Sequence, residues 1–286
     1  MKRFGNKKRV TRMLKVRDFR YPIIIYSIVF FVLVSTGLAN ANFATGLRKL
    51  AEYNATDVVA TYTTYFNKEE VNRNTNIRLA AKKVDGVVLK PKQVFSFNQV
   101  VGPRSQERGY KEAPEIIEGE FVDGIGGGIC QVSSTLYNTV LLAGLEVVSR
   151  TNHSQPVRYV PLGRGATIYY DQIDFKFKNT SDYPIMIVAR VLAQQLTVSL
   201  IGRDLGKSIE LETAEIEVLE PEVVKKRDES LANDQQKIVQ EGREGYKVVT
   251  KRKIKEGNQI TKEEIISRDI YLPAVRVIKH NLNDLS

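Results

Sequence analysis

The chain has 286 residues, of which 42% are hydrophobic and 27% charged, with a formal net charge of +10. This length supports a sizeable core and suggests two folded units. Nine Lys/Arg against one acid in the first 20 residues account for eight of those charges, so the rest of the chain is nearly neutral. No basic face of the size that nucleic acid requires is left, and none is expected as a partner. The one cysteine excludes an internal disulfide, and two histidines (His153 and His280) without a cysteine cluster exclude the usual zinc sites, so neither metal nor cofactor is expected.

In chain order, residues 1–20 form a basic tail that leads into a charge-free apolar run, Tyr21 to Leu38. A helix rising ~1.5 Å per residue over that run nearly matches a bilayer core. The positive flank predicts a cytoplasmic N-terminus, a single transmembrane anchor over 21–39 and an extracellular body. Ala39-Asn40-Ala41 offers small residues at signal-peptide cleavage spacing, but secretory apolar regions span only about 7–15 residues, which favours an uncleaved anchor. Residues 40–58 read as a juxtamembrane stalk or short helix. Val58 to Phe66, rich in β-branched and aromatic residues, reads as a strand. The polar cluster Asn72 to Asn76 is placed to cap a helix through Lys83. A hairpin is expected from Val87–Leu89 and Val94–Phe97 around Lys90-Pro91-Lys92.

Next comes Gly124-Ile-Gly-Gly-Gly-Ile-Cys130-Gln-Val-Ser-Ser-Thr-Leu-Tyr137, the most informative stretch of the chain. Four glycines in five positions let the backbone take tight or left-handed conformations and approach another molecule closely. Apolar residues then recur at Val132, Leu136, Val140 and Ala143, which is helix spacing. Cys130 therefore stands at a helix start, where free N–H groups and the helix dipole lower a thiol pKa and hold an oxyanion. Further strands are expected at Thr167–Tyr170 and Ile173–Lys178, and a hairpin from Ile185–Val191 and Leu196–Ile201. Hairpin spacing with few helices predicts an α+β domain over 59–206, a mixed helix and antiparallel-sheet fold. From 210 to 286, charged β-type runs punctuated by Gly242, Gly245 and Gly257 predict a small, elongated all-β module with little core, whose removal should leave Cys130 reactivity intact.

From about Ala60 to Ile201 the chain resembles the VanW family of Gram-positive surface proteins. The resemblance is carried by Thr61-Tyr-Thr-Thr64, Arg73-Asn-Thr-Asn-Ile77, Phe95-Ser-Phe-Asn98, Val101-Gly-Pro103 and Gly109-Tyr-Lys-Glu-Ala-Pro114. It continues through Gly126-Gly-Gly-Ile-Cys-Gln131, His153-Ser-Gln-Pro-Val157, Tyr159-Val-Pro-Leu-Gly163 and Asp174-Phe-Lys-Phe-Lys-Asn179. From about Ile216 to Asn281 it resembles the five-glycine (G-five) module, with the glycine pair of Gln240-Glu-Gly-Arg-Glu-Gly245 and a third at Gly257. The family name comes from a vancomycin-resistance gene cluster. For some members the resemblance implies a domain that makes L,D-crosslinks in peptidoglycan with the cysteine as nucleophile. The G-five module implies attachment to glycans bearing N-acetylglucosamine.

That chemistry requires a nucleophile, a base and oxyanion donors. Cys130 is the expected nucleophile and His153 the expected base, with Asp171 or Asp174 orienting the imidazole, Asp171 preferred, and Asn152 and Asn179 behind them. Gly126, Gly127, Gly128 and Gln131 form the expected oxyanion and substrate loop. Arg73, Asn76 and Ser133 are candidates for substrate binding, although Arg73 and Asn76 also suit a structural role, and Ser133, Ser134 and Thr135 suit helix capping and exposure. Tyr65, Phe95, Phe97, Tyr137 and Tyr159 read as core. Gly165 departs from the family, which commonly carries an aspartate there. The leading expectation is an L,D-transpeptidase-like acyltransferase acting on peptidoglycan stem peptides. The alternatives are a thiol peptidase or amidase of the wall, and a non-catalytic peptidoglycan-binding scaffold, which Gly165 favours.

Overall fold

The computed structural model describes residues 41–117 and 120–281. The basic tail and the expected anchor over 21–39 lie outside the described residues, among which no helix is long and apolar enough to cross a membrane. Residues 41–51 form helix α1 (Ala41–Ala51), followed by β1 (Asp57–Tyr65), α2 (Val71–Val84), β2 (Val88–Leu89), β3 (Val94–Ser96) and the short α3 (Phe97–Val101). The hairpin β4 (Glu112–Ile117) and β5 (Glu120–Ile125) leads into α4 (Ile129–Leu142), then β6 (Glu146–Ser149), β7 (Lys176–Lys178), β8 (Ile185–Leu192) and β9 (Gln195–Gly202).

An antiparallel sheet in the order β1-β9-β8-β2 forms one wall of this domain, and a smaller sheet, β3-β7-β6, forms another. Helix α4 lies in the core and α2 packs beside it against β8. The expected period holds, with Val132, Leu136 and Val140 fully buried. Residues 131–141 are in fact buried throughout, including Ser133, Ser134, Thr135, Asn138 and Thr139. A helix buried all round needs internal partners for its polar side chains. Here Thr135 Oγ1 meets Thr64 Oγ1 at 2.8 Å, Thr139 Oγ1 donates to Val198 O at 3.1 Å, and Asn138 Nδ2 donates to Arg164 O at 2.9 Å. The exposed polar first turn expected from the sequence is therefore corrected to a buried, hydrogen-bonded one.

Two local expectations also change. Strands β2 and β3 do not pair with each other: β2 pairs with β8 and β3 with β7, so Lys90-Pro91-Lys92 joins two sheets. Asn74 and Asn76 lie within α2 rather than capping it. Phe95, Phe97 and Tyr137 are buried as expected, but Tyr65, at the end of β1, is 64% exposed.

The remaining strands are β10 (Lys207–Leu219), β11 (Val223–Arg227), β12 (Gln236–Arg243), β13 (Gly245–Glu256), β14 (Gln259–Tyr271) and β15 (Ala274–His280). They build two three-stranded sheets, β10-β13-β14 and β11-β15-β12, with β11 parallel to β15. The module is all-β with a thin core, as expected. Its buried residues, Val248, Val249, Thr250, Arg252, Asp269 and Tyr271, lie on β13 and β14. Five of these six engage the first domain. Val248 and Thr250 face Gly163. Arg252 reaches the carbonyls of Leu141 and Leu145. Asp269 pairs with Arg150, and the Tyr271 hydroxyl accepts from Gly163 N. The described residues accordingly form one compact unit.

Candidate functional site

The glycine run before α4 is required by its surroundings. Gly126 and Gly128 adopt φ of +103° and +100°, which L side chains rarely take. A Cβ on Gly127 would lie 2.6 Å from the carbonyl carbon of Ala113 and 2.7 Å from Pro114 O. The loop is thus pressed against the backbone of β4. Asn76, fully buried, clamps it: Nδ2 donates to Gly127 O and Lys111 O, both at 2.9 Å, and Oδ1 accepts from Lys111 N at 2.8 Å. Asn76 is a structural staple.

The oxyanion cradle expected from this loop does not take the form expected. Gly126 N donates to Lys111 O at 3.1 Å and Gly127 N to Gly124 O at 3.4 Å, so both amides are already engaged by backbone carbonyls. Gln131 spends its amide as well, donating to Thr64 Oγ1 at 2.9 Å and Tyr65 O at 3.0 Å and accepting from Arg73 Nη2 at 2.8 Å. It ties α4 to β1 and α2. Ser133 donates to Ala166 O at 2.6 Å from a fully buried position, which removes it from substrate contact.

Cys130 occupies the second position of α4 and is half-buried. Its thiol donates to Ile168 O at 3.6 Å. Burial pushes the thiol pKa up; the Ile168 contact and the guanidiniums of Arg104 and Arg73 oppose the rise, and the Glu115 carboxylate adds to it. The low pKa expected from the helix start is corrected: desolvation outweighs it.

His153 sits in the loop after β6, only 5% exposed. Its Nε2 lies 3.2 Å from the Tyr159 hydroxyl, and its Nδ1 has no hydrogen-bond partner. Burial, reinforced by Arg150, lowers its pKa to about 4, so the imidazole is neutral at pH 7. Asp171 does not orient it. That residue is exposed, in a left-handed turn conformation with φ +61°. Asp174 instead caps α3, accepting from Ser96 Oγ at 2.6 Å and Asn98 N at 2.9 Å. The position that faces Nδ1 is Gly165, where a Cβ would lie 2.5 Å from that nitrogen.

Beside His153 stands a third residue, Tyr159, which the sequence analysis assigned to the core. Its hydroxyl meets His153 Nε2, and Cys130 acts on it electrostatically. Burial and Cys130 raise its pKa. Arg73 stacks over its ring at 5.9 Å. Arg104, which acts electrostatically on Cys130 and stacks over Tyr170 at 5.5 Å, had no sequence signal beyond its place after the Val101-Gly-Pro103 motif. Among the described residues, no three His, Cys, Asp or Glu side chains converge as metal ligands.

Two stretches of the chain match known families, one in each of the two parts described above. Residues 72–201 match the family described as VanW like protein, and residues 210–280 match the G5 domain. Among curated proteins, the chain is 45% identical over 160 residues to Uncharacterized protein YoaR of Bacillus subtilis, covering 56% of this chain and 53% of that protein. It is 32% identical over 116 residues to Vancomycin B-type resistance protein VanW of Enterococcus faecalis, covering 39% of this chain and 42% of that one. The chain thus spans about half the length of the curated relatives it matches. Solved structures similar to part of it are that of HP0197-G5 (18% identity, TM-score 0.19, 26% of this chain and 96% of that one) and an IgA1 protease G5 domain (22%, 0.22, 26% and 87%). The pairing of a VanW-like and a G5 domain is consistent with a cell-wall-associated protein.

Proposed function

We propose that this chain is a membrane-anchored extracellular protein of the cell wall whose VanW-like domain transfers acyl groups through Cys130. The substrates are peptidoglycan stem peptides, and the chemistry is that of an L,D-transpeptidase. The G5 domain contacts glycans bearing N-acetylglucosamine. The observation that carries this reading is the position of Cys130 at the start of a buried helix, with Arg73 and Arg104 acting on it electrostatically and a neutral His153 hydrogen-bonded to Tyr159.

In that arrangement the thiol proton passes to the Tyr159 hydroxyl as the phenol proton passes to His153 Nε2. The sulfur attacks the carbonyl of the third stem residue and forms a thioester. The amide C–N bond breaks, and the terminal D-amino acid leaves as an amine with the proton returned along the same path. An amine of a neighbouring strand then attacks the thioester, gives up a proton and restores the thiol. Both arginines favour the transient thiolate.

A second reading, a non-catalytic wall-binding scaffold, is favoured by Gly165. A histidine that accepts at Nε2 carries its proton on Nδ1, and here that atom faces a glycine with no acceptor. Incubating the fragment from Asn42 with disaccharide-tetrapeptide and analysing the products by mass spectrometry separates the readings. A crosslinked dimer lacking one D-alanine indicates transfer, and a clipped monomer indicates hydrolysis to water. Unchanged substrate, with Cys130→Ser indistinguishable from the parent, supports the scaffold.

A further inference from the structure

The two elements that carry Cys130 and His153 are both held by the G5 domain. At the C-terminal end of α4, Arg252 donates to Leu145 O at 2.9 Å and Leu141 O at 3.4 Å and pairs with Glu264 at 2.7 Å. A cation on the last carbonyls of a helix complements both the free acceptors and the dipole. At the histidine loop, Asp269 forms a buried ion pair with Arg150 at 2.5 Å, each side chain 6% exposed. The same guanidinium donates to Gly165 O at 2.6 Å and Gly163 O at 3.2 Å. Gly165 is the residue packed on His153 Nδ1. Around this clamp, Asn152 Nδ2 donates to Ile270 O at 3.1 Å, and Arg243 bonds to Gln155 two residues from the histidine.

We infer that the G5 domain is a working part of the Cys130–His153 site, with Asp269 acting through Arg150, and Tyr271 through Gly163, as positioning residues for His153. This rests on the acyl-transfer reading for its consequence in turnover, but its geometry stands apart from that reading. Breaking a buried ion pair leaves one charge uncompensated, so Arg150 is expected to release segment 163–165 and shift the wall of the histidine pocket. The groups that face His153 are Arg150 from the end of β6 and Tyr159 from the loop that follows, and Asp269 is the counter-charge to the first.

The test uses the full chain. Asp269→Asn keeps the size of the side chain and an oxygen for Arg150 while removing the charge. Tyr271→Phe removes only the acceptor for Gly163 N. Glu217→Gln, at an exposed ion pair with Lys247 on the same domain, is the control. Folding is checked by circular dichroism. The His153 ring resonances are followed by NMR, identified against His153→Gln with His280 as internal reference. In the folded variants those resonances are expected to shift, the pH profile of Cys130 alkylation to move, and kcat on the tetrapeptide to fall at least five-fold with KM unchanged. The control should leave all three as in the parent. If Asp269→Asn does not fold, Tyr271→Phe decides. A folded variant whose His153 resonances and alkylation profile match the parent overturns the inference. If the parent itself shows no turnover, a ring shift still upholds the positioning role while the acyl-transfer reading falls.

Discussion

Gly127→Ala tests whether the glycine run exists to bring the Cys130 helix against β4. The new Cβ would meet the Ala113 carbonyl carbon at 2.6 Å and Pro114 O at 2.7 Å, with the Ala113 oxygen closer still. Carbon contacts settle at about 3.5–4.0 Å, so backbone must separate from backbone by roughly 1 Å. No flexible side chain is available to absorb the movement. Overpacking of this kind costs about 1–3 kcal/mol. The Asn76 bonds to Gly127 O, Lys111 O and Lys111 N stretch with it, and one lost bond adds about 1 kcal/mol. The total, roughly 2–4 kcal/mol, corresponds to a fall of about 5–15 °C in Tm for a domain of this size. Gly206→Ala is the comparison, because it meets nothing within 4 Å and bears only the strain of φ +69°, about 1–2 kcal/mol. Thermal unfolding of the fragment from Asn42, followed by circular dichroism, reads both. A Gly127→Ala melt no lower than that of Gly206→Ala would falsify the packing account of the loop.

Because burial raises the Cys130 thiol, alkylation by iodoacetamide in the folded fragment should climb only above the free-thiol value of about 8.5; a midpoint below that value contradicts the desolvation argument. His153 titrates near 4 when folded and near 6.5 when unfolded, so the unfolded chain binds its proton first as pH falls. Its neutral burial therefore costs nothing above pH 6.5 and destabilises progressively down to pH 4, by roughly 3 kcal/mol. His153→Gln should flatten that part of the pH–stability curve in urea titrations, and an unchanged slope refutes it. Gly165→Asp sets a carboxylate beside the orphaned Nδ1 and should raise the histidine pKa by at least one unit, read from its ring resonances. It also crowds the ring at 2.5 Å, so a small loss of Tm is expected alongside. An unmoved titration would mean that the aspartate side chain turns away from the imidazole.

What the sequence made legible was local. The period of Val132, Leu136 and Val140 located α4. The β-branched run from Val58 located β1, and Ile185–Val191 with Leu196–Ile201 located the β8–β9 hairpin. The expected β2–β3 hairpin failed because turn chemistry at Lys90-Pro91-Lys92 cannot reveal that Met186 and Phe177, far along the chain, are the true partners of Val88 and Phe95. The site divides in the same way. Cys130 and His153 stood out because each is scarce, and Gly165 because it breaks a family pattern. Tyr159 did not, since burial is the ordinary fate of a tyrosine and only coordinates show its hydroxyl on His153. Asp171 was favoured because Asp174 fits the strand pattern, yet the left-handed backbone of Asp171 leaves it exposed at a turn. The G5 contacts were out of reach altogether. Arg150 and Asp269 are 119 residues apart, as Leu145 and Arg252 are 107 apart, and a charge in a charged β-module carries no mark of its partner. A module with too little core for its length must bury surface somewhere. Its thinness, visible in the composition from residue 210 onward, was already an argument that it docks on the domain before it.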